Sequence, residues 1–220
     1  MYQWDFGSLW TYRWLFVQGL GVTAAFTVAI VVIGLLVGLA AGLAKLSHVA
    51  PLRWLSNAYI EVFRCTPLLV QLVWFYYALP ILAGIEISAV GASVLALSLY
   101  GGSFYAEIIR GGIVSIDRGQ GEAAAALGMT PAQSLRRIIL PQALKRMVPP
   151  LMNQSIIQFK NTSLVSVLAV PDLLYQGQVA AHDSYRPLEI YTLVAVLYFA
   201  ALYPLTWIVR RGEQRLATSD

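Results

Sequence analysis

The chain has 220 residues, of which 58% are hydrophobic and only 12% charged, and its mean hydropathy is strongly positive. A soluble domain carries about 25% charged residues, so half the usual charge is missing and the class is integral membrane protein. One cysteine, Cys65, lies in an apolar stretch and excludes a disulfide or thiolate-metal framework. The formal net charge of +4 is distributed by membrane topology, not as a nucleic-acid footprint.

A bilayer core needs roughly 20 apolar residues per helix. In chain order, runs that satisfy this are expected at 17–44, 58–83, 88–109, 149–170 and 189–209. The first run is as long as a full span, lacks a basic stretch before it and a small-residue cleavage site behind it, and is expected to be retained. It carries Gly34, Gly38 and Gly42, four apart on one helical face, where a second helix can approach closely. Gly19-x-Gly21 has no strand before it and is not a dinucleotide fingerprint. Connections are expected at 45–57, 84–88, 110–148 and 171–187, which gives an all-α chain of five spans in one domain.

Basic residues orient the spans. Lys45, Arg53, Arg110, Arg118, Arg136, Arg137, Lys145, Arg146, Arg210, Arg211 and Arg215 fall on one side, and Arg13 and Arg186 on the other. The positive-inside bias therefore predicts the N-terminus outside and the C-terminus inside. The acidic residues Asp5, Glu86, Asp172, Asp183 and Glu189 are expected at the outer face. Trp4, Trp10, Trp14, Trp54, Tyr59, Tyr185 and Trp207 are expected near span ends as interfacial aromatics.

Between spans three and four lies a polar island, 115–146. Glu122 to Leu127 reads as a short alanine-rich helix, with Gly128 where a helix commonly ends in the left-handed region. Thr130-Pro131-Ala132-Gln133 then reads as an N-cap, a proline at the first helical position and a capping-box glutamine. Ala132, Leu135, Ile138 and Ile139 form one apolar face, and Pro141 is expected to break or bend the helix before the fourth span.

The full pattern is Glu122-Ala123-Ala124, three residues, Gly128, nine residues, then Ile138-Ile-Leu140-Pro141. It resembles the cytoplasmic loop of permease subunits of binding-protein-dependent ABC importers. Phe63-Arg-Cys-Thr-Pro-Leu-Leu-Val-Gln71, Tyr105-Ala-Glu-Ile-Ile-Arg-Gly-Gly-Ile113, Arg118-Gly-Gln-x-Glu and Phe159-Lys-Asn-Thr-Ser-Leu164 are similar to the polar amino-acid branch, of histidine, glutamine and glutamate type. Two positions depart: Cys65 stands where glycine is usual, and Asn161 where many relatives carry Asp. The resemblance implies that Glu122, Ala123, Ala124, Gly128, Ile138, Leu140 and Pro141 couple the spans to an ATPase. It also implies two ATPase subunits, a second permease (identical or homologous), an extracytoplasmic amino-acid-binding protein and a place in the bacterial inner membrane. ATP and magnesium would reside on the ATPase, with no cofactor or metal on this chain.

Charges at membrane depth are costly and tend to face the bundle interior. Glu61 and Arg64, three apart on one face, and Glu107 near the same depth are expected to form a structural or gating ion-pair cluster, with substrate contact and snorkelling as alternatives. Lys160, about midway along the fourth span, is grouped with Gln154, Gln158, Asn161, Thr162 and Ser163, and Gln71 falls near that depth. Transporter sites tend to lie near the midplane. This group is expected either to line a substrate path, where an amine, amides and hydroxyls suit a zwitterion, or to hydrogen-bond helix to helix.

No catalytic set emerges: His48 and His182 fall on opposite sides, and there is no His-Glu-x-x-His or Gly-x-Ser-x-Gly. No Gly-x-x-x-x-Gly-Lys-Ser/Thr occurs, so energy would come from a partner. The leading expectation is the transmembrane subunit of an amino-acid importer. An intramembrane enzyme and a membrane scaffold or sensor subunit are the alternatives.

Overall fold

A computed structural model describes the backbone of residues 4–217, and side chains as far as Gly212 except Ser8. The side chain of Arg215, counted above on the basic side, lies outside the described residues. The described residues are helical and contain no strand. A 3-10 turn, Gly7–Tyr12, leads into α1 (Arg13–Lys45). Then follow α2 (Ala50–Cys65), α3 (Leu68–Ala83), α4 (Ala89–Val114) and α5 (Arg118–Ala126). The chain ends with α6 (Pro131–Leu168), α7 (Leu173–Ser184) and α8 (Pro187–Ala217).

α1, α4 and α8 are each long and apolar enough to cross a membrane. α2 with α3, bent by 107°, and α6 with α7, bent by 48°, bring the number of crossings to five if each pair is one span. The expected second span, 58–83, is therefore corrected: it is not one helix. Thr66 and Pro67 are extended (ψ 140° and 134°). Proline has no N–H to continue the ladder, and its ring pushes the preceding residue out of the helical region. α2 also starts at Ala50, so the connection expected at 45–57 shrinks to four residues, 46–49.

The fourth span needs two corrections. Pro141 does not end its helix, because a π-helical stretch, Leu135–Ile139, widens the turn so that Leu140 N–H bonds five residues back, to the Leu135 carbonyl. The wider turn accommodates the ring that would otherwise meet the carbonyl four residues earlier. A second π stretch, Trp74–Ala78, does the same ahead of Pro80. The connection expected at 171–187 contains α7, capped by the buried carboxylate of Asp172, which accepts from Tyr175 N at 2.8 Å. Of the acidic residues expected on the outer side, Asp172 and Glu189 have fully buried side chains. Tyr59, expected at an interface, is partly buried and donates to the Leu99 carbonyl at 2.6 Å.

The glycine stripe sets the centre of the bundle. A Cβ on Gly38 would stand 2.5 Å from Tyr105 Cβ, and one on Gly42 2.8 Å from the Ala106 carbonyl oxygen. α1 thus lies backbone-close on α4, gaining van der Waals contact that lipid cannot replace. Around this pair, Phe26, Ile30, Leu72, Phe75, Leu97 and Val165 form the main apolar cluster. Ile109, Ile116, Ala143 and Met147 form a smaller one where α4 meets α6.

Candidate functional site

The island between α4 and α6 folds as a compact helical knob. Asp117 caps α5 by accepting from Gly119 N at 2.7 Å, so α5 begins four residues before the expected Glu122. At its far end Gly128 has φ +76°. Gly128 N bonds the Ala125 carbonyl (2.9 Å) and Met129 N the Ala124 carbonyl (3.0 Å), the paired bonds of a Schellman ending. The chain then turns directly into α6, where the capping box forms: Gln133 N donates to Thr130 Oγ1 (3.3 Å) and Thr130 N to Gln133 Oε1 (2.9 Å).

Ala124 is fully buried inside the knob, whereas Glu122, Ala123 and Gly128 face out. Leu127, at the tip, is 80% exposed. Ile138 is half-buried and Leu140 and Pro141 are exposed or nearly so. A groove of about 480 Å³ runs between α5 and the π stretch, with Glu122, Ala125, Leu135 and Ile139 on its walls. The knob is tied to the bundle by Arg146, whose guanidinium donates to the Ser115 carbonyl, and by Gln142 to Gln120 (3.0 Å). Neither tie was expected from sequence, since nothing local pairs residues that far apart.

The expected Glu61–Arg64–Glu107 cluster does not form. Glu107 instead accepts from Lys45 Nζ (2.7 Å) and Arg110 Nη2 (2.9 Å), joining α1 to α4. Glu61 and Arg64 are exposed; Arg64 lies over the Phe104 ring at 5.3 Å, and Cys65 Sγ is 3.6 Å from Glu61 Oε2. Sequence proximity favoured the local pair, but tertiary packing brought Lys45 to Glu107.

The midplane group divides. Gln71 is buried at the α2–α3 break, where its amide donates to the carbonyls of Phe63 (2.9 Å) and Thr66 (3.1 Å) and to the Thr66 hydroxyl; the Phe63 carbonyl is the acceptor that Pro67, lacking an N–H, leaves free. Gln158 is fully buried against Gly101 and donates to the Leu97 carbonyl at 2.9 Å. Thr162 is also fully buried and bonds the Phe159 carbonyl. These three side chains are buried and make helix-to-helix or within-helix bonds, the second of the two arrangements expected for the group. Gln154 is buried, and the Ser163 hydroxyl bonds the Lys160 carbonyl. Lys160 stays exposed, and half-buried Asn161 donates to Gln158 Oε1 at 3.0 Å.

The model of the family described as binding-protein-dependent transport system inner membrane component matches residues 30–218. The chain belongs to that family. It is a permease component of a binding-protein-dependent transport system. Among curated relatives, the arginine transport system permease protein ArtQ of Bacillus subtilis (strain 168) is 36% identical over 93% of each chain. The glutamate/aspartate import permease protein GltK of Escherichia coli O157:H7 is 38% identical over 99% of this chain and all of its own length. The glutamine permease GlnP of Escherichia coli (strain K12) is 38% identical over 97% of this chain and 98% of its own. A solved structure of an amino acid ABC transporter with histidines is 39% identical, covers 97% of this chain and 100% of its own, and superposes with a TM-score of 0.91. The inward-facing MetNI methionine ABC transporter, 24% identical over 92% of this chain and 96% of its own with a TM-score of 0.75, shares the fold.

Proposed function

We propose that this permease forms the translocation path of an ABC importer for a polar amino acid, with five crossings, its N-terminus outside and the knob in the cytoplasm. Two ATPase subunits, a second permease and an extracytoplasmic binding protein complete the complex in the bacterial inner membrane. ATP and magnesium act on the ATPase. The observation that carries this reading is the knob itself: two helices locked by a Schellman ending and a capping box, with Glu122 and Ala123 exposed on α5 and the 80%-exposed Leu127 at the junction. A rigid element with an apolar tip can press into a groove of a partner and transmit its motion through the continuous helix α6 into the bundle.

The substrate would pass by Lys160 and Asn161 on α6, which are exposed and half-buried respectively. An exposed amine and carboxamide suit the carboxylate and polar groups of an amino acid. The relatives are named for arginine, glutamate/aspartate and glutamine at nearly equal identity, so overall likeness does not choose among them and local charge must.

The test is Gly128→Val. At φ +76° a β-branched residue is strained by roughly 1–3 kcal/mol, enough to re-aim α6 relative to α5. Membrane insertion should persist while ATPase co-purification and uptake fall together. Normal ATPase association with normal uptake would overturn the coupling role.

A further inference from the structure

Arg13 opens α1 with its guanidinium 5.2 Å from the Trp10 ring centroid and 5.7 Å from that of Trp14. Flanking indoles hold a guanidinium by cation–π attraction and limit its rotation. One N–H group donates to the Trp10 carbonyl at 2.9 Å. Among the described residues no carboxylate lies within ion-pair distance of it, whereas Arg186, at the same end of the bundle, is paired with Glu189 and Asp5. A guanidinium has five donors, so exposed Arg13 keeps several that no acid takes up. It also sits at the end of the bundle that holds few basic residues, so the positive-inside bias does not account for it.

Beside Arg13 opens a groove of about 550 Å³ between the 3-10 turn, α1 and α8. Arg13 and Trp10 stand at it, and Leu9, Phe16, Val17, Leu20, Leu193 and Leu197 line the rest. Leu20 lies about 10 Å further along α1, at 1.5 Å per residue, so the trough runs from the level of the arginine toward the bilayer centre. Trp4 and Phe6, stacked at 5.5 Å and exposed, extend the aromatic rim. Two further grooves, about 390 Å³ between α1, α6 and α8 and about 580 Å³ along the start of α8, have no charged residue in their lining.

We propose that the trough beside Arg13 is a phospholipid-binding site: Arg13 holds the phosphate and one acyl chain lies along Leu9, Phe16, Leu20 and Leu197. The occupant is a glycerophospholipid of the leaflet at the N-terminal end of α1. Charge complementarity selects it. A fixed cation at headgroup level needs an anion, and the apolar trough below it needs a chain attached to that anion. A free phosphate would leave the trough empty, and an uncharged hydrocarbon would leave the arginine unmatched. The recognised group is the phosphate common to these lipids, so headgroup identity matters less than the arginine.

The intact transporter complex, reconstituted in vesicles of phosphatidylethanolamine and phosphatidylglycerol, is irradiated with a trace of phosphatidylglycerol carrying a diazirine in one acyl chain, and the adducts are mapped by peptide mass spectrometry. Adducts should concentrate on residues 9–20 and 193–197. Arg13→Gln should lower them about fivefold, the effect of one arginine on an anionic lipid near the surface, while Arg13→Lys retains most of the labelling. Leu20→Trp, or Leu193→Trp from the α8 side, should fill the trough and abolish it. Peptides around Val28 and Ile208, in the uncharged groove between α1, α6 and α8, should label equally in every variant. Excess inorganic phosphate should leave the pattern unchanged, and displacement of the probe by phosphate would overturn the assignment to a lipid. Trough labelling no higher than elsewhere and indifferent to Arg13→Gln would also overturn it, as would cross-linking of these peptides to another protein subunit in place of lipid.

Discussion

Lys45 Nζ lies 2.7 Å from Glu107 Oε1 and so fastens the last turn of α1 to α4. Arg110 holds the other carboxylate oxygen at 2.9 Å. Both Lys45 and Glu107 are about four-fifths buried, so the pair is less screened than a surface bridge, and the carboxylate is shared between two cations. Glu107→Gln would leave Lys45 and Arg110 facing each other uncompensated. It should lower stability by roughly 1–3 kcal/mol, read as thermal unfolding of the detergent-solubilised complex. Lys45→Met should cost less, because Arg110 still satisfies the carboxylate. The double variant should lose less than the sum of the two, and strict additivity would refute the pairing.

Gly38 lets α1 lie backbone-close on α4. Its Cβ would meet Tyr105 Cβ at 2.5 Å, the Gly102 carbonyl oxygen at 2.9 Å and Ala106 N at 3.0 Å. Two of these neighbours are backbone and cannot rotate away. Gly38→Ala should therefore separate α1 from α4 at a cost of about 1–3 kcal/mol. Gly21→Ala, with nothing within 4 Å, should be neutral. The check is the yield and melting temperature of purified complex, and equal behaviour of the two variants would remove the stripe from the packing account.

Features decided locally were legible in the sequence. Gly34, Gly38 and Gly42 repeat every four residues, and Gly128 with Thr130-Pro131-Ala132-Gln133 writes a cap in contiguous residues. What escaped was decided at a distance or masked by composition. Pro67 lies in an apolar run whose hydropathy passes smoothly through it, so the 107° break left no trace in the average. α7 contains Gln176, Gln178, His182 and Asp183, which lower its hydropathy below that of a span, yet it packs on α1 through Leu173 and Thr23. By sequence Gln158 groups with the midplane polar residues that suit a zwitterion, with helix-to-helix bonding as the alternative, and no local pattern points to the Leu97 carbonyl 61 residues away as its partner.

Orientation is checked by thiol accessibility. Cys65 is exposed and must first be removed. Ala132→Cys, on the outer surface of the knob, should then react with an impermeant maleimide only in inside-out vesicles. Tyr185→Cys, whose parent side chain is 84% exposed between α7 and α8, should react only in spheroplasts. The reverse pattern would place the knob outside and end the coupling reading.

Substrate charge follows from the relay at the end of α6. Gln158 Nε2 is committed to the Leu97 carbonyl at 2.9 Å, which leaves its Oε1 to accept from Asn161 Nδ2 at 3.0 Å. Asn161 is thus held as a neutral group beside exposed Lys160. An aspartate there has no donor for Gln158 Oε1, so its carboxylate would turn toward the open face. Two unit charges about 4 Å apart interact by roughly 4 kcal/mol at an effective dielectric of 20, before desolvation, and a third of that is about tenfold in affinity. Competition for uptake by the complex with its cognate binding protein should accordingly favour acidic or neutral polar amino acids over arginine and lysine. Asn161→Asp should move the preference about tenfold toward the cationic ones, and Lys160→Met should reduce uptake of acidic substrates without loss of assembly. Competition led by arginine or lysine in the unaltered complex would show that Lys160 does not face the substrate carboxylate.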